Sequence, residues 1–145
     1  MSRETVYAAL FAAGQRLTWN SGQTWAYTSR RQKLLTDLPA QPALIQTSLD
    51  EVDRRKVGQD VLRKWGARWY IALNTGKDPT AVPDMAGNPI LDAVELAFTP
   101  DSPHQNTFTL GGLVHHCWID GRITKVPGDL GDQGLIVVPI SIIIP

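Results

Sequence analysis

The chain has 145 residues and a mass of 16.0 kDa, the size of one domain and too short for two comfortable ones. Apolar residues make up 43% and charged residues 19%, enough to bury a core, and the single cysteine excludes an internal disulfide or a multi-cysteine metal site. The formal net charge is zero, whereas a dedicated duplex-DNA binder carries a basic surplus.

The opening reads as a helix. Ser2 is the N-cap, Glu4 suits the positive end of the dipole, and Gly14 is read as the residue just past the end. Val6, Tyr7, Leu10, Phe11 and Ala13 fall on one apolar face. Residues 18–22 (TWNSG) are turn-like, and residues 24–30 alternate weakly as a strand. Residues 31–37 read as a short helix or a continuing strand. After Pro39 and Pro42, residues 43–49 alternate as a strand with Ala43, Ile45, Thr47 and Leu49 on one side.

Residues 50–60 (DEVDRRKVGQD) mix both signs of charge and predict an exposed hairpin tip. Residues 61–73 show the clearest alternation in the chain. Trp65, Ala67, Trp69, Ile71 and Leu73 point one way, while Lys64, Gly66, Arg68 and Tyr70 point the other, as in a half-buried antiparallel strand. Residues 74–87 read as a long loop. Asn88 and Pro89 then make an N-cap and first-turn pair for a helix carrying Ile90, Leu91, Val94, Ala97 and Phe98, with an earlier start near Pro83 as the alternative.

Beyond a loop at 99–106, residues 108–124 alternate as a strand and 125–134 carry turn chemistry. Residues 135–144 are almost continuously apolar, which fits a strand buried on both faces or paired with another subunit. Pro139 cannot donate to a ladder, so it marks an edge, a bulge or a change of pairing. The expected fold class is α+β, a mainly antiparallel β-sheet with two α-helices packed on one face.

Catalytic patterns are scarce. His115 and His116 are adjacent and face opposite sides of a strand, so they cannot chelate one metal together. His115 and Cys117 share a face and read as a structural pair. Asp92 and Glu95 flank a core stripe and read as a solvated helix edge. Gly111-Gly112 precedes strand character and is no phosphate cradle. A hydrolase built on His115, His116 or Asp120 lacks a nucleophile–base arrangement. No cofactor or metal is expected.

The zero net charge hides a polarity. Residues 1–72 hold eleven Lys/Arg against six Asp/Glu, and residues 73–145 hold three against eight. The opposed halves neutralise each other within one domain or pair between copies. The five tryptophans supply core and interface area, or a platform for single-stranded nucleic acid. No apolar run approaches the roughly 18 residues of a membrane helix, and the first residues lack a signal-peptide pattern. A soluble protein made in a reducing cytoplasm is expected, without a membrane partner.

Across almost its whole length the chain resembles the tail terminator (tail completion) proteins of long-tailed bacteriophages. The segments that carry the likeness are MSRETVYAALF, SRRQKLLTDLPAQPALIQ, NPILDAVELAF, LGGLVHHCWIDGRI and GDLGDQGLIVVPISII, in that order. The resemblance implies a small α+β virion subunit that forms a homo-hexameric ring on the head-proximal end of the tail tube. Its partners are then the tail tube protein and a head–tail connector or stopper protein. No specific nucleic-acid sequence is read, although DNA passes the lumen. Neighbouring neck proteins share this size and ring logic, and remain the alternative together with a nucleic-acid-binding module.

A closed ring needs two different patches that meet. Arg54, Arg55 and Lys56 in the basic half and Asp129 and Asp132 in the acidic half are the expected charged partners. Ile140 and Ile142, on the apolar strand beside that turn, are expected to supply the dry part of the contact.

Overall fold

The computed structural model describes residues 2–34, 37–59, 61–74, 83–102, 105–126 and 133–145, with the backbone alone at 83, 84 and 133. Helix α1 spans Arg3–Gln15, and the Ser2 side chain caps it by accepting from the Thr5 amide at 3.1 Å. Seven strands follow: β1 (Tyr27–Ser29), β2 (Ala43–Ser48), β3 (Val52–Arg54), β4 (Leu62–Asn74), β5 (His116–Ile119), β6 (Thr124–Val126) and β7 (Gln133–Ile144), with helix α2 (Pro83–Ala97) between β4 and β5.

The seven strands found among the described residues form one sheet in the order β1-β2-β4-β7-β5, with β3 on β4 and β6 on β7. Every pairing is antiparallel except β1 with β2. Both helices lie on one face, so the architecture is α+β with a mainly antiparallel sheet.

The alternation of β4 sets the core. Trp65, Ala67, Trp69, Ile71 and Leu73 are all buried, and their register partners Ile142, Ile140, Val138 and Ile136 on β7 join them under the helices. Trp65 stacks on Tyr7 of α1 at 5.8 Å, and Trp69 meets Phe98, just past α2, at 5.5 Å.

Several expectations are corrected. Gly14 lies inside α1 rather than past its end. A Cβ there would sit 2.8 Å from Leu44 Cδ2 and 3.0 Å from Trp69 Cζ2, so glycine serves close helix–sheet approach. Helix α2 begins at Pro83, the alternative start, which puts Asn88 and Pro89 inside it. The strand expected over 108–124 is two short strands, because Leu110, Gly111 and Gly112 turn the chain with positive φ before β5 and Gly121 turns it again after β5. On β2, Leu44 and Gln46 face the helices, while Ile45 is buried from the other side near Leu38 and Tyr70.

Strand β7 is central, flanked by β4 on one side and by β5 and β6 on the other. Pro139 sits where the second partner changes: β5 ends opposite Ile140 and β6 is paired opposite Val137. Its carbonyl accepts from the Asp120 amide at 3.0 Å. Carbonyl and N–H of one strand residue point to the same side, so the missing N–H falls in the gap between the two short strands.

Candidate functional site: the uncovered sheet face

The face away from the helices is bordered on its β2 side by the chain's own Gln32, Lys33, Leu34 and Leu38, beside Ile45, Tyr70, Ala72 and Leu135, and its remainder is left to solvent or to a partner. Register places Lys64, Gly66, Arg68, Tyr70 and Ala72 of β4 on that face, beside Ile143, Ser141, Pro139, Val137 and Leu135 of β7. His116 and Trp118 of β5 extend it, as does Val126 of β6. Tyr70, Leu135, Val137, Pro139 and Ile143 are half-buried, and Val52, Leu62 and Val126 are exposed at its margins.

A groove of about 320 Å³ crosses this face, lined in part by Asp50, Lys64, Gly66, Arg68, Asp120 and Ser141. Lys64 and Asp120 form an ion pair at 3.0 Å, and Ser141 Oγ donates to Asp120 at 2.7 Å. The Ser141 hydroxyl, then Lys64, hold the Asp120 carboxyl below the usual carboxylate range. The Lys64 ammonium also lies over the Trp118 ring, 5.7 Å from its centroid. Arg68 is exposed at the middle of the face, and its side chain has no hydrogen-bond or ion-pair partner among the described residues.

Arg54, Arg55 and Lys56 are all exposed, at and just beyond the end of β3. Arg55 folds back onto Asp53 at 3.2 Å. Asp129 and Asp132 lie outside the described residues. Ile140 and Ile142 are only 1% and 0% exposed and face the helices. They belong to the subunit's own core, because strand register sends them to the same side as Ala67 and Trp65. The β7 residues left for a partner are intervening ones, Val137, Pro139 and Ile143.

The histidines and the cysteine separate. Cys117 is buried, and burial raises its thiol pKa. His115, just before β5, is exposed. His116 stacks on Trp118 at 4.8 Å and accepts from the Phe108 amide through Nδ1 at 3.2 Å. Among the described residues no cluster of three or more His, Cys, Asp or Glu side chains is placed to hold a metal ion. No described helix is long and apolar enough to cross a membrane.

This face was not singled out as a site in the sequence because the alternation of β4 does not say which strands pair beside it to build a continuous surface. The signal available was Lys64, Arg68 and Tyr70 opposite the tryptophan face. No protein-family model matches the chain, and no curated protein matches it.

Proposed function

We propose that this protein is a structural virion subunit of the tail terminator type, closing the head-proximal end of a phage tail tube as a homo-hexameric ring. The observation that carries the reading is the one-sided sheet. Helices cover one face, and the open part of the other presents half-buried apolar residues around Arg68, whose side chain has no partner among the described residues. Such a face gains most when a neighbour excludes water from it. The sequence resemblance supports the reading, and the α+β architecture agrees with what it implies. In this role the chain performs no catalysis. It ends tube polymerisation and offers a docking surface to a connector or stopper protein.

The experiment is polymerisation of tail tube protein with and without this chain, followed by negative-stain electron microscopy. Expected are tubes of limited length with a ring at one end. Unchanged elongation without bound protein overturns the reading. A neighbouring neck role predicts binding to connector preparations and no effect on tube growth.

A second reading rests on Lys64 over Trp118 and on Arg68 and Tyr70 in the same face. Cations interleaved with aromatic rings hold single-stranded nucleic acid. That reading predicts oligonucleotide binding by the monomer, weakening steeply with salt.

A further inference from the structure

We infer that the uncovered sheet face of one copy receives the outer face of helix α2 from the next copy. The inference rests on the proposed ring and names the two surfaces that build it. Met85 and Leu96 are both 73% exposed, among the most exposed large apolar side chains of the described residues. They stand eleven positions apart, and at roughly 100° per residue that spacing returns to the same side of a helix. Asp92 falls between them on the same stripe, and Glu95 flanks it. Both carboxylates are exposed and have no ion-pair partner among the described residues.

This stripe is apolar, acidic, apolar, and runs about 16 Å along the helix axis. The open part of the sheet face offers the complement: the Arg68 side chain, without a hydrogen-bond or ion-pair partner among the described residues, and Val137, Pro139 and Ile143 along the neighbouring strand β7. A helix laid there completes a three-layer subunit boundary, with the sheet covered on both sides. The acidic face of α2 also belongs to the acidic half of the chain and Arg68 to the basic half, so the contact uses the charge polarity seen in the sequence.

The two patches lie on opposite sides of one subunit, so they cannot meet within it. They meet only between copies, as a heterologous contact that closes into a ring when the rotation permits. Like charges opposed across such a contact suppress it, and opposite charges fix its register.

The test is a charge exchange in the full chain, read by native mass spectrometry and by rings on tail-tube ends. One variant is Arg68→Glu and the other combines Asp92→Lys with Glu95→Lys. All three positions are exposed, and circular dichroism checks that the variants fold. Each variant alone is expected to lose the ring. An equimolar mixture is expected to regain it, since alternating copies restore opposite charges at every boundary. Combining all three substitutions in one chain is expected to regain it too.

If the parent forms rings and both single-sided variants do so equally well, this contact is overturned while the ring stands. If the parent never closes, free or on tubes, the proposed function fails and the contact with it. If Arg68→Glu instead abolishes binding of a single-stranded oligonucleotide and leaves assembly unchanged, the face belongs to nucleic acid and the inference is overturned.

Discussion

Trp69 Nε1 donates to Gln46 Oε1 at 2.9 Å, and both side chains are buried. Gln46 Nε2 in turn donates to the Tyr7 carbonyl of α1 at 2.8 Å. One amide therefore satisfies the Trp69 indole of β4 and ties the first helix to the sheet. A buried polar group tolerates this position only because both of its ends are used.

Replacing Gln46 with Leu leaves the Trp69 indole N–H buried without an acceptor. The expected loss is about 1–3 kcal/mol, measured by urea unfolding. Trp69→Ala removes the largest fully buried side chain and should cost about 3–5 kcal/mol. A Trp69→Ala protein that melts within a few degrees of the parent contradicts the assignment of this face as the core.

Gly14→Ala tests the close approach of α1. In an open helix the change is favourable by about 1 kcal/mol. Here the new methyl meets Leu44 and Trp69 at 2.8 and 3.0 Å, and overpacking of this kind costs about 1–3 kcal/mol. The expected outcome is a lower thermal midpoint. A raised midpoint contradicts the packing.

The three substitutions touch features of unequal visibility in the sequence. The faces of β4 were legible because Trp65 to Leu73 alternate without interruption. The N-cap at Ser2 was legible because local side-chain chemistry alone makes it. Gly14 was misread because an end-of-helix glycine and a glycine under a tryptophan look alike until the partner element is known. Residues 108–124 were misread for a related reason. Their alternation continues through Gly111, Gly112 and Gly121, whose positive φ angles break the strand. Ile140 and Ile142 were expected at a subunit boundary because a continuous apolar run does not reveal which of its sides is covered.

Asp120 supplies a pH signature. Its carboxyl is held below the usual range by Ser141 and then Lys64, so it stabilises the fold above the unfolded pKa of about 3.9. That contribution is lost as pH falls through the lower folded value. Asp120→Asn should therefore be less stable than the parent at pH 7, by no more than about 1 kcal/mol for so exposed a pair. The difference should shrink under strongly acidic conditions. A gap that widens on acidification contradicts the ion pair with Lys64.

Cys117 is buried, with its thiol pKa raised by that burial, and a thiol is a poor nucleophile when protonated. The native protein should resist alkylation by iodoacetamide for as long as it stays folded, and label fully in urea. Rapid labelling of the native protein contradicts the placement of β5 against β7.

The central claim is a ring at one defined place. Electron cryomicroscopy of the assembled particle, reconstructed around the head-proximal end of the tail tube, tests it most directly. The account predicts a single closed ring of six copies, each with helix α2 seated on the sheet face of its neighbour. Isolated monomers, a non-closing chain of subunits, or a tube end without this protein would contradict it.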